Sequence, residues 1–403
     1  MDYTRFIQML LEETDRRNPV EEKRIMTFLN PRLYFAYHRE LNRLKANGIK
    51  FPHVQSSHLI KAIIAPVSSR SKFAIRYKDV LLLEDNMSMK VHAVQSKVET
   101  NPGIPYGVKQ IHAPRAWSTS TGYRIKIGVI DTGVDFQHPD IRYSLAGGIN
   151  LLNRNMLPLD DNGHGTHIAG TISAANSTEG MMGVAPRAII YPVKAFDHNG
   201  SAYVSDIILG IDWCVRNHVH LINMSFGMKT RSRALQEIVN KAYLSGISIV
   251  ASSGNDGKRR TIDYPARYSQ TISVGATDQN RRIAPFSNRG QYIDIYAPGD
   301  KIISSWTQGK YHEMSGTSMA TSHVSGAIAL LLAQNSTLQP ADIKMLLQRT
   351  STPLRLRKDQ RLDRDSGEVN ALRLLRVGMK FTSTVSEPVT ASIKTKKNRP
   401  SKI

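Results

Sequence analysis

Disulfide bonding is excluded at once: Cys214 is the only cysteine in 403 residues, so burial rather than covalent bridging holds this chain folded. It sits in an apolar helical pattern, where a thiol packs as a small hydrophobe. Long apolar runs are missing too. The stretch 327–333 is far short of the roughly 20 residues a membrane helix needs. Residues 1–6 hold no basic cluster, and Glu12 and Glu13 cut short the apolar stretch behind them before a leader can form. With a lone cysteine and no visible signal peptide, the expectation is a cytoplasmic protein, or one released by an unconventional route. Acidic residues are also scarce, 33 against 54 lysines and arginines, for a net charge of +21. That excess predicts non-specific contact with polyanions. No helix-turn-helix, zinc-ligand spacing or aromatic-studded basic motif accompanies it, so the expectation favours a solvated basic surface over a dedicated nucleic-acid reader.

What is present is ample core material, 40 % hydrophobic residues, in patterns that change along the chain. In residues 1–52, Phe6, Met9, Leu10 and Leu11 form one helical stripe. Ile25, Phe28, Leu29, Leu33, Tyr34 and Tyr37 predict a second helix broken near Pro31. Residues 59–64 and 79–83 read as strands, and 95–103 as a polar linker. From residue 104 short apolar runs alternate with helical patterns: strands at 125–130, 188–193, 220–224, 248–252 and 271–274, helices at 204–215, 233–244, 340–348 and 369–375. Such alternation predicts an α/β domain, a doubly wound and mostly parallel sheet with helices on both faces. The expected organisation is a small N-terminal α+β segment with linker (1–103), the α/β domain (104–375) and a basic disordered tail (376–403) carrying Lys394, Lys396, Lys397, Arg399 and Lys402.

Three stretches carry chemistry. Ser315-Gly316-Thr317-Ser318-Met319-Ala320 is a small-residue turn running into a helix, with Val324, Ala327, Ile328 and Leu331 at helical spacing. A serine at such an entry lies near unpaired N–H groups that favour negative charge, which suits a nucleophile; taken alone it is equally an N-cap. The β-branched run 125–130 ends in Asp131-Thr132-Gly133, as a buried parallel strand does when it delivers a carboxylate at its C-terminal end. Asp161-Asn162-Gly163-His164-Gly165-Thr166-His167 places a histidine at the start of another helix. Each of the three residues sits where a loop meets an element.

In the order Asp, His, Ser, these stretches closely resemble the subtilisin-like serine proteases, or subtilases, from about Pro105 to about Leu375. The resemblance implies a serine endopeptidase acting on protein or peptide substrates through an acyl-enzyme. Ser318 would be the nucleophile, His164 the general base and Asp131 its orienting carboxylate. It also implies that Asn255, in Ser253-Gly254-Asn255-Asp256, donates to the oxyanion, and that Ser225-Phe226-Gly227 pairs with the substrate backbone. His167 and His323 are expected to be structural. The segment 79–94 resembles the end of a subtilase pro-region, which implies an inhibitory N-terminal region removed between about Val91 and Ile104.

Three departures stand out. Ser322 occupies a position usually held by proline, which would fix φ and remove a donor. Asp140 matches a calcium ligand of the family, yet Pro102 and Ser177 stand where side-chain amide oxygens usually do, so the pattern supports no calcium site and no cofactor is required. Asp263 precedes Tyr264-Pro265 where the family often has glycine, and Asp256 follows Asn255. If both carboxylates point inward, two negative charges line the pocket for the residue before the scissile bond and favour Lys or Arg. The alternative from another class is a subtilase-fold regulatory or binding protein with weak residual activity.

Overall fold

The computed structural model describes residues 1–14, 23–92, 94–96, 103–176, 178–356 and 366–382. At the N-terminus, α1 (Tyr3–Thr14) buries Phe6, Ile7 and Leu10. The stretch after it is not helical. β1 (Lys23–Phe28) alternates, sending Met26 and Phe28 into the cluster around Phe6 and Ile25 into the core on the opposite side. Pro31 starts a helix rather than breaking one. It is the first residue of α2 (Pro31–Ala46), where a missing N–H costs nothing, and Asn30 Oδ1 caps the turn by accepting from Arg32 N at 2.9 Å. With β2 (Gln55–Ser57), β3 (Ala62–Pro66), α3 (Lys72–Arg76) and β4 (Leu81–Asp85), this region closes an antiparallel sheet of order β2-β3-β1-β4.

The following strands, β5 (Ser88–Val91) and β6 (Val94–Ser96), leave that sheet for the larger domain, which opens with α4 (Tyr106–Gln110). The rest comes in chain order. It begins with β7 (Lys126–Asp131), β8 (Ile149–Asn150), α5 (His164–Ser173), β9 (Ile189–Lys194) and β10 (Ser201–Tyr203). Next come α6 (Val204–Arg216), β11 (Leu221–Met224), β12 (Phe226–Gly227), α7 (Arg233–Leu244) and β13 (Ser248–Ser252). The last are β14 (Thr271–Thr277), β15 (Ile295–Pro298), β16 (Ile302–Trp306), β17 (Lys310–Ser315), α8 (Thr317–Leu332), α9 (Pro340–Thr350) and α10 (Ala371–Gly378).

Seven strands pair in parallel in the order β15-β14-β13-β11-β7-β9-β8. One face packs against α5 and α8, the other against α6 and α7, the doubly wound arrangement the alternation predicts. Every residue of α8 is buried, so its entry is held rigidly against the strand ends. Cys214 is buried on α6 and Gly128 of β7 lies against its sulfur, a packing role. No helix among the described residues is long and apolar enough to cross a membrane.

The boundary expected at 375 moves. α10 runs through it to Gly378, and Asn335 Nδ2 donates to the carbonyls of Gly378 and Phe381. The helix buries Leu374 and Leu375, and that packing carries the chain past the point where composition turns polar. The lysines expected in a disordered tail lie outside the described residues, as do most of the linker, Pro102 and Ser177.

Candidate active site

β7 ends in Asp131, α5 opens with His164 and α8 carries Ser318 in its first turn. Asp131, the last residue of β7, is fully buried, and its Oδ1 accepts from Thr132 N at 2.8 Å and meets His164 Nδ1 at 2.7 Å. His164 opens α5 and is also buried; its Nε2 and Asp131 Oδ2 have no partner. Ser318, in the first turn of α8, donates its Oγ hydrogen to Ser225 O at 2.7 Å instead of to His164. That carbonyl lies within reach of one rotamer of a hydroxyl that turns freely about a single bond.

Behind this trio stands Asp160, which sequence reading overlooks. Its Oδ1 accepts from the N–H groups of Asn162 and Gly163 and from Thr132 Oγ1, and its Oδ2 from Thr166 N and Oγ1 at 2.9 and 2.6 Å. A carboxylate in this place caps the N-terminus of α5 and so fixes where His164 begins. The available signal was an acid just before a glycine-started helix. Lys194 Nζ donates to Thr132 O and Asp161 Oδ1, both at 2.6 Å, tying β9 to the same loop.

Asn255 Oδ1 accepts from Thr317 N at 3.0 Å and Thr317 Oγ1 at 2.9 Å. Its carboxamide is thus fixed by the oxygen, and the NH₂ remains for another acceptor beside Ser318. Ser322 Oγ donates to Ser318 O at 2.9 Å and Ser225 Oγ to the same oxygen at 3.3 Å. Serine in the place of proline therefore keeps α8 continuous and adds a tie to the preceding turn. His167 and His323 are fully buried, and desolvation holds them down to about 3 and about 4. His167 Nε2 lies 3.0 Å from Ile302 O and His323 Nδ1 2.8 Å from Met319 O, the contacts of neutral packing residues.

Asp140 is met by nitrogen donors, Asn176 Nδ2 at 3.0 Å and Met181 N at 3.1 Å. Among the described residues no group of three His, Cys, Asp or Glu is placed to hold a metal ion.

The cleft holds part of the chain itself. β5 lies between β10 and β12, antiparallel to both, with Val91 opposite Phe226 and Lys90 opposite Gly227. His92 N donates to Ser225 O at 3.2 Å, the carbonyl that Ser318 Oγ also touches. β6 pairs with β17, Val94 standing opposite Ser315. β5 and β6 thus lie on either side of the entry of α8. Phe226 and Gly227 pair with the backbone of this segment, and Ser225 O accepts from His92 N. Asp263 is buried, but Asp256 is exposed, and Lys229, missed from sequence, donates to both carboxylates. The floor of two uncompensated acids is corrected by that lysine, which lies far enough from either acid in sequence to leave no local signal.

A buried carboxylate–imidazole pair and a buried serine hydroxyl thus lie at the C-terminal edge of a doubly wound sheet, the edge where open α/β folds carry their sites. The model of the subtilase family matches residues 122–369, and the chain belongs to that family. Subtilisin E of Bacillus subtilis strain 168 is 44 % identical over 256 residues, covering 62 % of this chain and 67 % of its own. Subtilisin of Bacillus pumilus is 43 % identical over 256 residues, 62 % of this chain and 92 % of its own. A thermostable alkaline protease of Halalkalibacterium halodurans is 38 % identical over 278 residues, 69 % of this chain and 76 % of its own. The chain is a serine endopeptidase with protein or peptide substrates.

These relatives overturn the cytoplasmic expectation. Subtilisins of this kind are secreted, which points to secretion here. A large buried core needs no disulfide, so the scarcity of cysteine carries no information about redox compartment. Nothing in the fold or the relatives supports the expected polyanion contact.

Proposed function

We propose that Asp131, His164 and Ser318 act together as the catalytic groups of this endopeptidase, with Asn255 as oxyanion donor. The observation that carries the reading is the 2.7 Å contact of His164 Nδ1 with Asp131 Oδ1, which leaves Nε2 free as a base. Ser318 Oγ turns from Ser225 O to Nε2, loses its proton there and attacks the substrate carbonyl. The oxyanion is met by Asn255 Nδ2 and the Ser318 N–H at the head of α8. His164 returns the proton to the leaving amine, the acyl-enzyme forms, and water hydrolyses it by the same steps in reverse. Asp131 holds the imidazole tautomer and stabilises the imidazolium within a buried site.

Residues 1–92 serve as an inhibitory region, with β5 lying as a substrate strand and the bond after His92 as the one cut. Its sheet is docked by complementary groups. Glu84 accepts from Ser232 Oγ, Arg233 N and Ala234 N at the start of α7, and Asp212 of α6 accepts from Ser57 Oγ and Leu59 N. The test is labelling with a fluorophosphonate, then peptide mapping, alongside hydrolysis of casein. Label on Ser318 and proteolysis lost in Ser318→Ala are expected. An unlabelled, inactive wild type would favour a binding protein instead.

A further inference from the structure

We propose that the pocket before the scissile bond selects histidine. This deepens the serine-endopeptidase reading above and rests on it.

The residue in that pocket is His92 of the chain itself, and both of its ring nitrogens are met. Nε2 lies 3.1 Å from Asp263 Oδ2 and Nδ1 2.8 Å from Ser252 Oγ. Asp263 and Ser252 are buried beneath the ring, so a side chain that fills the pocket keeps both polar groups from water. Ser252 Oγ also lies 3.5 Å from Phe226 O. Its hydrogen can point to the ring or to that carbonyl, so the pair accepts a neutral imidazole or an imidazolium. With a neutral ring, Nε2–H donates to the carboxylate and the hydroxyl donates to Nδ1. With a charged ring, both nitrogens donate and the hydroxyl turns to Phe226.

The walls fit a flat five-membered ring. A side chain on Gly227 would start 2.5 Å from His92 Cε1 and 2.8 Å from Asp263 Cβ. One on Gly254, whose φ is +102°, would start 2.8 Å from Asp263 Oδ2. Glycine on each side thus admits the ring on one flank and the carboxylate on the other.

The same geometry rejects the competitors. Phenylalanine or leucine would leave Asp263 Oδ2 and Ser252 Oγ buried without a partner from the substrate, which is how polar pockets discriminate strongly against apolar analogues. Lysine and arginine meet Lys229, whose Nζ already holds Asp263 Oδ1 at 2.6 Å and also pairs with Asp256. The longer side chains would carry their charge beyond the oxygen that His92 reaches, toward that ammonium group.

Met89 is buried and Lys90 exposed on the same strand, so Met-Lys-Val-X reproduces the bound segment. The test compares kcat/KM on Met-Lys-Val-X p-nitroanilides with X as His, Phe, Leu, Arg or Lys, for wild type, Asp263→Asn and Ser252→Ala. The expected result is His above Phe and Leu by about tenfold or more. Each substitution should lower the His value more than the Phe value, so that the His-over-Phe ratio falls by about tenfold. A preference for Phe or Leu, unchanged in Asp263→Asn, would overturn the inference. So would a preference for Arg or Lys over His, which would make the pocket a general cation site. Fluorophosphonate labelling of Ser318 in the same samples separates the two levels. A labelled enzyme without histidine preference refutes the pocket assignment alone, whereas an unlabelled wild type refutes the reading beneath it. If Asp263→Asn does not fold, Ser252→Ala and the wild-type ranking still decide.

Discussion

Asn255 shows how much one side chain is asked to do. Its oxygen is tied to the backbone and hydroxyl of Thr317, which fixes the carboxamide before any charge develops and suits the oxyanion role we propose for its NH₂. Asn255→Ala should lower kcat by about 10²–10³, the worth of such a donor in a subtilisin, with KM within about threefold. Steady-state kinetics on one peptide anilide checks this; a loss confined to KM would remove the oxyanion role. Asp131, His164 and Ser318 were singled out by their own neighbours, a strand ending in an acid, a glycine-flanked histidine and a small-residue helix entry, whereas Asn255 was pointed to only by the family resemblance. Lys229, Ser252 and His92 were not legible. Lys229 lies in an unremarkable stretch and Ser252 only ends a predicted strand, and what joins them to His92 and Asp263 is a strand pairing that no window of sequence contains.

Elements show the same divide. The parallel strands were readable because burial on both faces demands continuous β-branched runs. β1 was misread because Met26 and Phe28 belong to one core and Ile25 to another, a period of two disguised by the apolar residues of α2 just beyond it. α5 and α8 carry a cost that burial of their histidines imposes. His167 and His323 titrate near 6.5 when exposed, but desolvation holds them down to about 3 and about 4 in the folded protein. Below about pH 6.5 the unfolded chain takes up protons that the native state refuses, so stability is full above that value and falls as pH drops toward 4. Each histidine contributes a slope of up to about 1.4 kcal/mol per pH unit in that window. His38 and His58 act in the same direction, lowered first by burial. Urea unfolding of Ser318→Ala between pH 7 and 4.5 should show this decline, and His323→Gln should flatten it. A flat profile in the parent would contradict the neutral, buried state of both rings.

At the scale of the whole molecule, the N-terminal region and the enzyme form one continuous assembly. One sheet face joins the core over α6 and α7, Glu84 caps α7, and β5 and β6 straddle the entry of α8. The composition change near residue 95 was a fair sign of a junction, yet it could not reveal that the strands flanking it complete two sheets of the larger domain. If Ser318 is the nucleophile and β5 lies as a substrate, the enzyme's first substrate is its own chain. The most direct measurement is the intact mass and N-terminal sequence of purified wild type beside Ser318→Ala. The account predicts a wild-type product beginning at Ala93 and an uncut 403-residue Ser318→Ala chain. An active wild type that keeps residues 1–92 attached, or a Ser318→Ala chain cut at the same bond, would contradict it.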